Sequence, residues 1–370
     1  MARASYWFFI KAYQLVLPKD GIHATSTLIA IGITNDTSSP IIDLLRDIRS
    51  TTATDPKDKV FSILGLAAEA IESKDTRLLP NYSKSTIQVY RDITRYVIET
   101  DLNLNILSLA GMRQNLTDEA TNFPSWVPRF DLDSWMGFDG SGLHKTSNNL
   151  PPCLLPSLDE DALILRGIRF DSLLSDGRHW FQRIKDLIED LEMFETMWNN
   201  IANEAIAYSE GKDRLWALYM TLTTGETATF ESADNNASHL ADIWAYEKQL
   251  FEEAKVRRRK PSDRIELWGE EIYAANPTGS ATRFKQAVTV LSSNLVLFTT
   301  AKGYIGLGPP SMLEGDIICI LFGGEVPYVL RPMGSHWQLV GECYVHGIMQ
   351  GEGLKDFNGD MSQTEIFEIR

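Results

Sequence analysis

Near Leu295 the hydrophobic pattern of this 370-residue chain changes period, and that change limits the folds open to it more than any other feature. Before it, apolar residues recur three and four apart, the spacing of a helix face; after it they fall in short runs cut by glycine, the spacing of strands and turns. LVLFTTAKGYIGLGPP, GDIICILFGG, VPYVLRP and HWQLVGECYVHG read as four to six short strands, which predicts a small C-terminal β-barrel or sandwich module. Ile317 to Phe322 is apolar at every position and is expected to be the central strand, covered on both faces. Helices first and strands last, without alternation, define an α+β chain whose N-terminal and middle regions are mainly helical.

The helical part carries its own start signals. Ile41, Leu44, Leu45 and Ile48 lie at helical spacing behind Pro40. Asp55 can cap the next helix, Pro56 suits its first position, and Asp58 places negative charge at the positive end of the dipole, with Val60, Ile63, Leu64 and Ala67 inward. Ser85 and Gln88 form a capping box ahead of a stripe of Ile87, Tyr90, Ile93 and Val97. Met1 to Leu17 is apolar but broken by Lys11, so it is expected to be a helix packing Trp7, Phe8, Ile10 and Leu15 rather than a signal peptide. Gly111 to Pro156 is dense in proline and glycine and reads as an extended crossing. Ala162 to Leu174 reads as a strand broken at Gly167. Beyond Gly177, Ile184, Leu187, Leu191, Phe194, Trp198, Ile201, Ala205 and Tyr208 predict one long helix, paired with another over Ser238 to Lys260. Thr223 to Asn236 between them, polar and acidic, reads as a mobile loop. The resulting division is helical 1–110, a loop-rich crossing 111–175, helical 176–291, a β module 292–355 and a tail 356–370.

Charge and composition exclude whole classes of function. Thirty-five Lys and Arg against fifty Asp and Glu give a net charge of −15, the wrong sign for binding a phosphate backbone by counterion release, so nucleic acid is not expected as a partner. Hydrophobic residues at 44% and charged residues at 23% suit a globular chain, and no stretch approaches the ~18 apolar residues that cross a bilayer. Three cysteines, Cys153, Cys319 and Cys343, are an odd number, which fits a reducing compartment and so a cytoplasmic location.

Few motifs carry chemistry. Cys319, Cys343 and His346 are zinc-type residues, but no CxxC pair occurs, and residues three apart in a strand point to opposite faces; both cysteines read as core, with no metal. The sequence holds no GxSxG, GxxxxGK, HExxH or GxGxxG. Gly303, Gly306 and Gly308 precede Pro309-Pro310 and a strand, so they suit a hairpin and not a phosphate loop. The basic run Lys255, Arg257, Arg258, Arg259 and Lys260 ends a helix before Pro261, where cations offset the dipole. Arg331, His336, Trp337 and His346 remain as candidates for ligand or partner contact, with no catalytic residue and no cofactor assigned.

DPKDKVFSILGLA (Asp55 to Ala67), PNYSKS (Pro80 to Ser85), PSWVPRF (Pro124 to Phe130) and the block Phe298 to Glu352 together resemble the fungal heterokaryon incompatibility (HET) proteins, in the region that follows the HET core. Lys57 stands where arginine is usual and Asn81 where aspartate is usual. The core's motifs, resembling SYxWG and WIDxxCINQ, do not occur here, so no catalytic residue carries over and the chain reads as a truncated form of the pattern. The resemblance implies a cytosolic protein of non-self recognition and programmed cell death. Within it, this chain is expected to be a non-catalytic accessory or regulatory part acting on a protein partner. The alternative is an enzyme with a pocket between helices and β module, using Arg331, His336 or His346 with Asp316 and Glu325. A third reading is a product without activity.

Overall fold

The computed structural model describes residues 39–48, 51–67, 69–70, 73–111, 123–132, 142–173, 184–208, 212–257, 278–292 and 294–370. Met1 to Leu17 and residues 258–260 of the basic run lie outside the described residues. Those described form eight α-helices in the first four-fifths and strands concentrated toward the C-terminus, the α+β arrangement the periodicity predicts.

Helix α1 (Ile41–Asp47) buries Ile41, Leu44 and Leu45, and α2 (Asp58–Leu64) buries Val60, Ile63 and Leu64. Asp55 accepts the Lys57 N–H at 3.0 Å, and the helix proper begins three residues later than the cap. Helix α3 (Thr86–Asp101) opens on the expected capping box, Ser85 with Gln88. The sequence predicts one long helix after Gly177; the structure instead has α4 (Ile184–Glu189) and α5 (Leu191–Glu204), parted at Asp190, whose carboxylate accepts the N–H groups of Glu192 and Met193. Helix α6 (Lys212–Leu222) follows, then α7 (Ala237–Val256) and α8 (Ala281–Ser292). Helix α7 packs on α5 as predicted, and it also packs on α8, which periodicity did not single out. Phe194, Tyr219, Tyr246 and Phe284 meet edge to face, tilted or stacked at the centre of this group. Thr223 to Asn236 is built into the fold: Thr223, Thr224, Glu226, Thr227 and Ala233 are buried, so the free loop expected there is a packed turn. No helix among the described residues is long and apolar enough to cross a membrane.

Strands β1 (Leu154–Leu155), β2 (Leu163–Ser172), β5 (Ile317–Leu321), β6 (Tyr328–Met333), β7 (His336–Glu342) and β9 (Glu365–Ile369) make one sheet in the order β1-β2-β5-β6-β7-β9. Strand β9 pairs β2 as well, so the pairing runs round on itself, with a seam at β7 of one parallel pair, Trp337 with Ile369. Strands β3 (Val296–Thr299), β4 (Ile305–Gly308) and β8 (Tyr344–Val345) form a second, three-stranded sheet. Strand β5 is buried throughout, as expected. Its Ile317, Cys319 and Leu321 belong to the large core shared with the helices, and Ile318 and Ile320 to a smaller core with Val296, Phe298 and Val345. Strand β2 is not broken at Gly167; a Cβ there would stand 2.4 Å from the Ile320 carbonyl, so the glycine lets β5 approach. The irregularity comes later, between Arg169 and Asp171. Of the loop glycines, Gly303 has the positive φ (82°) of a hairpin, whereas Gly306 makes room for Phe298 and the Tyr344 carbonyl.

The motif residues lie at joints. The buried Lys59 ammonium donates to the Ile48 carbonyl at 2.8 Å and to Thr51, tying the end of α1 to α2. The Tyr82 hydroxyl donates to Asp58 at 2.5 Å, and that of Tyr90 to the Pro56 carbonyl at 2.6 Å. Trp126, fully buried, donates to the Asp161 carbonyl at 2.8 Å beneath the Arg95 guanidinium. Ser125 accepts the Leu339 N–H at 2.8 Å and donates to the Arg370 carbonyl, joining the crossing to β7 and to the residue after β9.

Candidate functional site

The residues picked from sequence separate in space. Arg331 closes on Asp316 with Nε to Oδ1 at 2.8 Å and a second nitrogen to Oδ2 at 2.9 Å, and donates to the Ser311 carbonyl at 2.7 Å. Asp316 is 1% exposed and also accepts the Leu313 N–H, so the pair braces the turn into β5. His336 opens β7 opposite Met333 at the hairpin end, and Trp337 packs on Phe367 beneath Arg169. His346 lies elsewhere, just after β8. Arg331 and Asp316 thus meet, but as a closed ion pair; Glu325 is fixed through its backbone carbonyl, which accepts the Thr146 N–H at 3.0 Å.

His346 belongs to a cavity of about 220 Å³ where the helical middle, the 142–150 segment and the turn after β8 converge. Its walls include His144, Trp216, Tyr344 and His346, with Asp234 and Glu352 at the solvent side. The chain positions them through backbone. Gly225, at φ +71°, turns the chain after α6 where a Cβ would come 3.1 Å from the Tyr344 hydroxyl. The Ala233 N–H donates to the Gly225 carbonyl at 2.8 Å, fixing the segment that presents Asp234. The Lys145 N–H donates to the Met349 carbonyl at 2.8 Å, and Gln350 Nε2 to the Leu143 carbonyl at 2.7 Å, holding His144 against the turn. The Tyr208 hydroxyl donates to the His346 carbonyl at 2.8 Å and accepts the Ile305 N–H at 3.1 Å.

Burial sets the protonation of the site. It lowers both His144 and His346 to about 4, so both imidazoles are neutral near pH 7, and it raises the Tyr344 hydroxyl. His346 Nδ1 lies 3.2 Å from the Tyr344 hydroxyl. Asp234 is raised by partial burial and then by the charge of Glu352. His144 stands apart: its side chain is 5% exposed and neither ring nitrogen has a hydrogen-bond partner. Its Nε2 is 3.7 Å from Glu226 Oε1, beyond hydrogen-bonding reach. Among the described residues no group of three or more His, Cys, Asp or Glu is placed to hold a metal ion. Cys319 and Cys343 are buried, their thiols raised by that burial, as the core reading expects. Sequence singled out His346 but not Glu352 in the same turn, nor His144 and Asp234, which come from distant segments; the local signal was Gly225 in a threonine-rich turn, and it points to backbone, not to chemistry.

A glycine-punctuated sheet module carried on a helical body defines the class. Residues 278–358 match the family model of the Het-6 beta-barrel domain. Heterokaryon incompatibility protein 6, OR allele, of Neurospora crassa is 23% identical over 369 aligned positions, covering 84% of this chain and 51% of the relative. The chain is thus similar to a fungal heterokaryon incompatibility protein, and it spans about half the length of that curated relative. No solved structure matches it.

Proposed function

We propose that the chain serves fungal non-self recognition as the non-catalytic accessory or regulatory part of a HET-type protein, working in the cytoplasm through contact with a protein partner and not with nucleic acid. One observation carries this reading. Residues of the supporting motifs of the resemblance, Lys59, Tyr82, Ser125 and Trp126, are spent on joints between helices, crossing and sheet, and none of them lines the cavity, to which the more specific terminal block contributes Tyr344, His346 and Glu352. Motifs spent on joints hold a shape, and a shape serves recognition.

An enzymatic reading has one observation in its favour: His346 and Tyr344 sit within hydrogen-bonding distance in a cavity at the seam of helices and sheet. Hyphal fusion separates the two. Expressed in strains of different incompatibility type, the full chain is expected to change the outcome of fusion, and His346→Gln and His336→Gln are expected to leave that effect intact. Loss of the effect in His346→Gln, with an unchanged unfolding midpoint, overturns the reading in which shape alone serves recognition.

A further inference from the structure

We propose that Ser157, in the loop between β1 and β2, is a phosphorylation site for an acidic-directed protein kinase that draws its phosphoryl group from a nucleoside triphosphate. This goes beyond the reading above and does not depend on it.

Sequence supplies the recognition pattern. Ser157-Leu158-Asp159-Glu160-Asp161 sets three consecutive carboxylates at the second to fourth residues after a hydroxyl. Kinases select substrates by charge pattern, and a cationic substrate groove reads such a row. Four other described residues, Thr52, Thr223, Ser311 and Ser362, also have a carboxylate three positions on, but none has one on either side of it. Thr223 is in addition buried.

The fold puts the pattern within reach. Ser157 is exposed, and Leu158 beside it stands clear of the body at 106% exposure. The side chains of Asp159, Glu160 and Asp161 stay 41%, 75% and 56% exposed, although each meets an arginine. Below them the loop is anchored. Arg95 donates to the Glu160 carbonyl at 3.0 Å and to the Ala162 carbonyl at 2.7 Å, and Trp126 donates to the Asp161 carbonyl. Leu155 pairs with Ile164 across the base of the hairpin, so hydroxyl and carboxylates are presented together on a fixed stem. The Ser157 hydroxyl accepts the Asp159 N–H at 3.1 Å and, among the described residues, donates to nothing. Its proton is therefore open to a kinase's catalytic aspartate. In the transfer, Ser157 Oγ bonds to the γ-phosphorus as the bond to the β,γ-bridging oxygen breaks; the hydroxyl proton goes to that aspartate and the nucleoside diphosphate leaves. The new dianion has a counter-charge at hand in Arg370, which is 46% exposed and already reaches Asp159 at 2.9 Å.

Incubating the folded full chain with ATP and casein kinase 2, an acidic-directed enzyme, and mapping the product by mass spectrometry tests this. Protein kinase A, which is basic-directed, serves as the control. Phosphate is expected at Ser157 with the first enzyme and not with the second, and none at residue 157 in Ser157→Ala. Glu160→Gln leaves Arg91 its bond to Asp161, so it is expected to keep the unfolding midpoint while slowing incorporation at Ser157 at least about tenfold. Glu314→Gln, beside Ser311, is expected to leave that rate unchanged. The proposal is overturned by no phosphate at Ser157, by phosphate there in a peptide of residues 152–166 but not in the folded chain, by an unchanged rate in Glu160→Gln, or by equal modification with protein kinase A.

Discussion

Lys59 and His144 are both buried and both titratable, but only one is satisfied. The Lys59 ammonium spends its donors on the Ile48 carbonyl and on Thr51, which is why a cation at 4% exposure is tolerated there. His144 and His239 are instead kept neutral by burial, each lowered to about 4. Their depressed values set a sign: between about 6.5 and 4 the unfolded chain takes up protons that the folded chain does not, so stability is full above 6.5 and falls as pH falls through this window. From pH 7 to pH 5 the expected loss is roughly 1–2 kcal/mol per histidine. Asp47, raised by burial to about 6, acts with the opposite sign over an overlapping range. The check is therefore comparative: urea unfolding at pH 7 and pH 5, in which His144→Phe loses less than the parent. An equal loss in both overturns it. At this scale sequence put Arg331 with Asp316 as candidate chemistry but not as the closed ion pair it is, because the 1% exposure of Asp316, just before β5, comes from packing that no local pattern carries.

Helices that announce their own ends were legible; elements defined by a neighbour were not. Ser85 and Gln88 act within one turn, and the box they predict is present. The break at Asp190 was hidden because α4 and α5 bury the same stripe, Leu187 and Leu191 on either side, so the period runs across a gap that only the capping bonds reveal. Helix α8 depends still more on its neighbour. Asp242 on α7 accepts two bonds from Arg283, and its Oδ1 takes the Ser280 N–H at 2.8 Å. Just before α8, a Cβ on Gly279 would stand 2.1 Å from the Ala241 carbonyl. Gly279→Ala must then push the two helices apart and stretch the Asp242–Arg283 pair, an overpacking cost of about 1–3 kcal/mol. Thermal unfolding should show the midpoint fall, whereas Gly315→Ala, with open space around the site, keeps its packing and is strained only by its φ of +85°. A midpoint unchanged in Gly279→Ala means the close approach carries no weight.

At the scale of the molecule the sheet ignores the order in which the chain was read. The period change near Leu295 located β3 to β8, but β5 takes its other neighbour, β2, from residues 163–172, and β9, from residues 365–369, pairs with both β2 and β7. No local pattern announces such pairings; register across distant segments is set by which faces become buried together. Phe367 and Ile369 end fully buried, although they lie beyond the 278–358 segment that matches the Het-6 beta-barrel domain. That segment cut out alone leaves one edge of β5 unpaired and exposes Ile317, Cys319 and Leu321, which in the whole chain join the helical core. Expressed as residues 278–358 it is expected to aggregate or to give a collapsed, poorly dispersed amide spectrum, and Phe367→Ala in the full chain is expected to cost about 3–5 kcal/mol in urea unfolding although it lies outside that segment. A well-dispersed spectrum from the excised segment would make β3 to β8 self-sufficient. If the spectrum collapses as expected, the 154–173 strands and the C-terminal strand belong to the same folding unit as the matched segment, because β5 and β7 take their outer neighbours from them.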